Sequence, residues 1–323
     1  THMRIQGISG SRGVAVGNVY KYIQEEIVIP DYEVTDDQVE AEIGKFASAM
    51  AATLKQLDTI RQKALVDMGA DEAAIFEAHM QIAQDPSLSD GIKSLVENSK
   101  MNVVAATAQT IETFAAIFIG MDDPYMRERG ADIKDIGDRL MRNMLGMNPR
   151  GLSHISGEVI IVAHDLAPSD TASLDKNVVK GIVTAAGGPT SHAAIMARTL
   201  EIPAVMGVGD IESFTDDVRA VVLGTDGEVI TEPSDEEWER YTKEAADFQD
   251  ELKRLKDSAN LEAVTKDGHH VDLFGNIGKS KDADHALTMG AQGIGLYRTE
   301  FLYMENDELP TEDVQFEQYK QVA

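Results

Sequence analysis

The chain has no cysteine, which removes disulfides, thiolate metal sites and cysteine nucleophiles from its repertoire. Bases are scarce: 29 lysines and arginines stand against 56 aspartates and glutamates, for a net charge of −27. An imbalance of that size argues against a nucleic-acid binder or a partner of anionic lipid and favours basic partners. Long apolar runs are missing too. The longest near-continuous one, Phe114 to Met121, is far too short to cross a bilayer. No charged-then-apolar leader opens the chain, and Thr1-His2 before Met3 has the look of a cloning remnant. No cluster of histidines and acids has metal-ligand spacing, so no metal site is expected. What is present is ordinary for a globular protein: 43% apolar and 26% charged residues over 323 positions, enough for about two domains with sizeable cores. The expectation is a soluble, cytoplasmic, acidic protein with no nucleic-acid or membrane partner.

Three kinds of pattern follow one another along the chain. Arg4 to Ile8 and Val14 to Val16 flank a glycine-rich turn, and Asn18 to Ile29 is rich in β-formers, so the first thirty residues read as strands. The spacing Gly7, Gly10, Gly13, Gly17 admits a nucleotide-loop reading, but no Walker lysine and no helix start follow it; a glycine turn fits better. From residue 31 the period changes. Val39, Ile43, Phe46, Met50, Leu54, Leu57 and Ile60 recur at three- and four-residue steps and predict one long amphipathic helix. Further helices are predicted over 71–84, after Pro86, over 102–119 and over 123–145, broken at Gly69, Asp85-Pro86 and Asp122-Asp123-Pro124. From His154 to Glu232 strand patterns (158–163, 181–184, 220–223, 228–230) alternate with a helix at 191–199, the signature of a layered α/β domain. Residues 234–260 form a charged connecting helix. Beyond them a strand at 271–277, a helix at 279–289 and a strand at 293–296 make one strand-helix-strand unit. The predicted architecture is an α/β domain (3–30 and 148–232), an inserted helical bundle (31–147), a linker helix (233–260) and the truncated start of a parallel α/β domain (261–323).

The densest chemical signal is Gly187-Gly188-Pro189-Thr190-Ser191-His192-Ala193-Ala194-Ile195-Met196-Ala197-Arg198. A strand runs into two glycines, then a cap-type Thr190 or Ser191, then His192 in the first helical turn. Glycines let backbone approach a ligand closely, and a helix start offers N–H groups and partial positive charge suited to phosphate. The same positive end disfavours an imidazolium, and a neutral imidazole is what a nucleophile toward phosphorus requires.

This run resembles the phosphohistidine motif of the phosphoenolpyruvate-utilising enzymes. Three further stretches are similar to that family: Leu166-Ala167-Pro168-Ser169-Asp170-Thr171, Asp132-Ile133-Lys134-Asp135-Ile136-Gly137 with Arg139-Leu140, and Gly293-Ile294-Gly295-Leu296-Tyr297-Arg298-Thr299-Glu300-Phe301-Leu302. Their order and spacing resemble the enzyme I branch, which moves phosphate from phosphoenolpyruvate through a histidine to the small carrier HPr at the head of bacterial sugar uptake. The nitrogen-branch relative and a fragment of another phosphoenolpyruvate-utilising enzyme are the alternatives.

The resemblance implies that the α/β domain is a phosphohistidine domain, that the bundle binds HPr, and that 261–323 begin a phosphoenolpyruvate-binding (β/α)8 barrel. It implies His192 as the nucleophile through Nε2, Thr171 as its hydrogen-bond partner, and Arg298 as a contact to the phosphate of phosphoenolpyruvate. It implies Mg2+ in the complete enzyme, held by carboxylates expected beyond residue 323, and a homodimer there, with a monomer expected for this chain. Pro189 departs from the arginine many family members carry. Docking finds support of its own. Ala64 to Ile92 contains six acids and no base, and 31–147 hold 21 acids against 11 bases, a charge pattern suited to steering a basic carrier or to a plain solvated face. Asp71, Glu72, Glu77, His79 and Asp85 are the expected docking residues. His79 lies in the segment the family uses for docking, with an ordinary helix-surface position as the alternative. Met80, Met126, Met141 and Met144 suit either an adaptable contact or core packing. His154 and His164 border a strand without partner spacing, and His269-His270 follow Asp267-Gly268 as in a hairpin turn.

Overall fold

Alternation of period two buries both sides of the central strands. In β4 (Val159–Ala163) all five residues are buried, Ile160 and Val162 joining one apolar cluster and Ile161 and Ala163 the other. Such two-sided burial is what a covered parallel strand requires. The computed structural model describes residues 1–149, 151–152, 155–304 and 308–323, with backbone alone at 124 and 125; His154 lies outside the described residues. The chain divides into two compact units, 1–245 and 246–323.

Among the described residues of the first unit eight strands form one sheet. These are β1 (Met3–Gln6), β2 (Ile8–Ser11), β3 (Val14–Tyr22), β4, β5 (Val179–Thr184), β6 (Ala204–Met206), β7 (Arg219–Leu223) and β8 (Glu228–Thr231), in the order β1-β8-β7-β3-β4-β5-β6-β2. The centre β3-β4-β5-β6 is parallel, and the flanking pairs are antiparallel. Among the described residues five α-helices stand between β3 and β4: α1 (Val39–Asp67), α2 (Ala70–Ala83), α3 (Pro86–Ser99), α4 (Val103–Ile119) and α5 (Pro124–Met144). Two shorter helices, α6 (Pro168–Thr171) and α7 (His192–Thr199), follow β4 and β5. The inserted helices share a core of Phe46, Ala49, Leu88, Ile92, Ile111 and Leu140 among others. A smaller cluster joins Leu57, Ile60, Ala64 and Phe76 of the insert to Ala172, the residue after α6.

The predicted helix breaks hold. Gly69 sits at φ +98° ahead of α2, and Asp85 caps α3 by accepting from Ser87 N–H at 2.8 Å with Pro86 in the first turn. The strand expectation for 23–29 does not hold. β3 ends at Tyr22, paired with Ala163, and Ile23, Val28 and Ile29 are exposed. Polar anchors hold the backbone within and just after this stretch instead. Asn102 donates to Pro30 O at 2.8 Å and Tyr32 O at 3.0 Å, and Arg142 donates to Glu25 O at 2.7 Å. β-Formers that pair with no strand stay irregular. The three-residue β6 and one-turn α6 had no periodic signal to predict them.

The helix α8 (Asp235–Asp257) matches the predicted connector. The second unit contains β9 (Phe274–Ile277), α9 (Asp282–Thr288), β10 (Gly293–Tyr297), α10 (Phe301–Met304) and α11 (Glu312–Val322). β9 and β10 pair in parallel, as expected for a strand-helix-strand unit, though both β9 and α9 are shorter than predicted. The turn before them closes with Thr265 N–H donating to His269 O at 2.9 Å and Gly268 at φ +86°.

Glu42 holds α1 to the start of α4. Its buried Oε1 accepts from Val103 N–H at 3.0 Å and Tyr32 O–H at 2.7 Å, and Lys45 lies 3.1 Å from Oε2. Burial alone would raise its pKa; these donors outweigh it and hold the carboxyl below the usual glutamate range. With the folded pKa below the unfolded one, this stabilisation is complete above the unfolded value and is lost as pH falls through the folded value. Glu42→Gln is expected to cost about 1–2 kcal/mol at neutral pH and to flatten the fall in stability between about pH 5 and pH 3. Urea titrations of both chains across that range check it, and an identical acid limb in the variant would contradict it.

Candidate phosphohistidine site

The loop leaving β5 turns at Gly187, whose φ of +90° an L side chain rarely adopts. Gly188 differs: a Cβ there would meet only open space. Ser191 caps α7, accepting from Ala194 N–H at 3.3 Å and donating to Gly188 O at 2.8 Å. Of the two cap candidates Ser191 takes the role, and Thr190 is exposed. Arg198, near the far end of α7, donates to Gly10 O and to Pro189 O, each at 2.7 Å, and so ties the loop to β2. Ala193, Ala194, Met196 and Ala197 pack into the sheet's core. His192, the first residue of α7, is left on the open side, 29% exposed.

The wholly buried Thr171 ends α6 and places Oγ1 3.4 Å from His192 Nε2. The hydroxyl donates to Pro168 O at 3.0 Å. Asp170, also fully buried, fixes α6: Oδ1 accepts from Tyr22 O–H at 2.6 Å and Oδ2 from Ala167 N–H at 2.8 Å. The Tyr22 oxygen accepts in turn from Gly151 N–H at 3.0 Å. Asp170 and Tyr22 were missed as supports of the site; the only sequence signal was an acid at the third position of a Pro-led turn.

A third group comes from the insert. Glu72 of α2 brings Oε1 to 3.3 Å from His192 Nε2, with the carboxylate largely shielded. His79 requires a correction, because it is not a surface histidine. Its side chain is 1% exposed, Nε2 lies 3.1 Å from Asp132 Oδ1 and Nδ1 3.9 Å from Asp135 Oδ2, and its ring meets Phe76 edge-on at 5.6 Å. Three residues after the wholly buried Phe76, it falls on the inward face of α2. Its ring therefore does not line an exposed docking face in this arrangement. Asp135 also accepts from Ser169 Oγ at 3.0 Å, joining α5 to α6.

Asp71, Glu77 and Asp85 are exposed. Beside Asp85 lies an apolar groove lined by Ile82, Leu88, Phe114 and Phe118. Met80, Met141 and Met144 are half-buried against the insert's apolar clusters. His164 is exposed at the end of β4, its carbonyl accepting from Ala186 N–H. Arg298 belongs to the second unit, exposed just past β10 with its backbone N–H bonded to Ile277 O at 2.8 Å. Among the described residues no three His, Cys, Asp or Glu side chains stand close enough to hold one metal ion. No helix among them is long and apolar enough to cross a membrane.

Three family models match successive stretches: PEP-utilising enzyme, N-terminal, over 6–129; its mobile domain over 155–227; and its PEP-binding domain over 252–323. The chain is 44% identical to the phosphoenolpyruvate-protein phosphotransferase of Listeria monocytogenes, over 99% of this chain and 56% of that protein. It is 42% identical to the one from Priestia megaterium, over 98% and 55%. It thus spans about half the length of these curated relatives. A solution structure of an enzyme I protein aligns with a TM-score of 0.69 at 36% identity, covering 76% of this chain and 99% of that one. The N-terminal domain of the nitrogen enzyme I shares the fold, with a TM-score of 0.52 at 24% identity. A histidine at the head of a capped helix, a threonine beside it and a helical insert packed against both sit where these matches run, and the chain belongs to the enzyme I family of phosphoenolpyruvate-utilising enzymes.

Proposed function

We propose that this chain carries a phosphoryl group on His192 Nε2 and exchanges it with a histidine of the carrier HPr, as the phosphoenolpyruvate-protein phosphotransferase of a cytoplasmic sugar-uptake system. The observation that carries this is the placement of His192 at the head of α7, behind Gly187-Gly188, with Thr171 Oγ1 3.4 Å from Nε2. The Nε2 lone pair attacks phosphorus as the bond from phosphorus to the donor breaks, and the electron pair leaves with the donor. Thr171 can turn its hydroxyl to donate to the arriving phosphoryl oxygens, and the positive end of α7 favours their charge. Ser191 and Arg198 hold the loop in place through its carbonyls and the helix cap. For docking we propose the exposed acids Asp71, Glu77 and Asp85 with the adjoining apolar groove, a surface suited to a basic partner with an apolar centre.

Loading from phosphoenolpyruvate belongs to the whole protein, where Arg298 is proposed to meet the donor's phosphate. Magnesium, which neutralises charge in such transfers, finds no three-ligand group among the described residues, so no step here passes through it.

Three outcomes are expected. His192→Ala leaves the fold intact and abolishes acid-labile label from phosphorylated HPr, whereas Thr171→Val slows labelling by the loss of roughly 1 kcal/mol of hydrogen bonding; label retained on the alanine variant sinks the assignment. Asp71→Lys with Glu77→Lys weakens HPr binding and reduces its salt dependence; calorimetry at low ionic strength that gives an unchanged affinity moves docking off α2. Finally, a chain of these 323 residues takes label reversibly from phosphorylated HPr and not from phosphoenolpyruvate with magnesium. Parallel labelling reactions decide this, and efficient uptake from phosphoenolpyruvate means the donor site is complete within these residues.

A further inference from the structure

Both groups that approach His192 Nε2 are hydrogen-bond acceptors. Thr171 uses its hydroxyl hydrogen on Pro168 O at 3.0 Å, so the Oγ1 that faces Nε2 at 3.4 Å presents a lone pair. Glu72 Oε1, at 3.3 Å, is a carboxylate oxygen. That oxygen is shielded from solvent and has no hydrogen-bond partner among the described residues; the His192 ring faces it at ion-pair distance. A shielded carboxylate oxygen without a donor is costly. A hydrogen on Nε2 serves the Thr171 oxygen as hydrogen-bond donor and brings positive charge to the uncompensated carboxylate, whereas a lone pair there would face two oxygens.

We propose that Glu72 holds unphosphorylated His192 in its Nε2–H form, which makes the inserted helical bundle a reversible cover for the nucleophile. The inference rests on the phosphohistidine reading of the site. An Nε2 that carries hydrogen has no lone pair for phosphorus. To react, the ring must lose that hydrogen to water and take one up at Nδ1; the bond from Nε2 to phosphorus then forms as the donor departs with its electron pair. Once the phosphoryl group is attached the two neighbours part company. Thr171 can rotate its hydroxyl and donate to a phosphoryl oxygen. Glu72 has nothing to donate, and two anions in contact repel. Phosphorylation therefore expels Glu72 and with it the α2 contact to α7, while return of the phosphoryl group to a carrier restores both.

The ring nitrogens of His192, observed by NMR on isotope-labelled chain at neutral pH, test this without any phosphoryl donor. In the parent they report Nε2–H. Glu72→Met keeps the side chain's length and removes the acceptor, and is expected to shift the ring toward Nδ1–H and to accelerate label uptake from phosphorylated HPr by roughly three- to tenfold. Glu72→Gln retains an acceptor oxygen and is expected to keep the parent tautomer, which separates the oxygen facing Nε2 from the packing. An unchanged tautomer in the methionine variant overturns the proposal, as does a shifted tautomer with unchanged uptake. A shifted tautomer with no uptake in any chain, parent included, supports the Glu72 contact and fails the phosphohistidine reading instead.

Discussion

The buried carboxylate of Asp170 is the fixed point on which the site is built. A carboxylate taken wholly out of water is tolerable only when its oxygens are matched by donors. Here one oxygen is matched from β3 by Tyr22 and the other by the first turn of α6 through Ala167 N–H. A four-residue helix has almost no stability of its own, so this pairing with the sheet is what gives α6 a definite position. Thr171 and Ser169 inherit that position, the first facing His192 and the second facing Asp135 of the insert. One buried acid thus sets the geometry on both sides of α6.

Around that point the interface between the insert and the sheet is divided by chemistry. Ala172 lies among Leu57, Ile60, Ala64 and Phe76, a patch that shape and apolar area hold together. Next to it stand the polar contacts: Glu72 on His192, Asp135 on Ser169, and His79 between Asp132 and Asp135. Apolar contact is indifferent to the charge on His192; the Glu72 contact is not. The same surface therefore contains a part that persists through a change at the histidine and a part that responds to it.

Much of this architecture was legible in the sequence. The 3.6-residue period through Phe46, Leu57 and Ile60 marked α1, and all three are buried. The break at Asp85-Pro86 marked the start of α3, where Asp85 is the cap. Gly187-Gly188 before Ser191-His192 marked the head of α7. What failed depended on partners remote in sequence. The β-formers at 23–29 pair with no strand; Arg142 of α5 bonds Glu25 O within the segment, and Asn102, ahead of α4, bonds Pro30 and Tyr32 just after it. Glu72 was expected among the docking acids, and only the fold sets it against a ring 120 positions away. His79 was legible in part, since its spacing from Phe76 already places it inward; the two aspartates that receive it lie on another helix.

The site of the insertion also bears on how the chain reaches this structure. β3 and β4 are parallel neighbours, with Asn18 opposite Val159, yet the whole five-helix insert lies between them. Bringing such distant strands together from an open chain carries the entropy of closing a very long loop. The helices themselves are built mostly from contacts between neighbours in sequence, the kind that form fast. If the insert condenses first, the long loop becomes a short one and the central strand pairing follows cheaply. Assembly in the opposite order would have to nucleate the sheet across an unstructured segment. The helical bundle packed beside the histidine, once condensed, is thus also what shortens the loop that the central strand pairing must close.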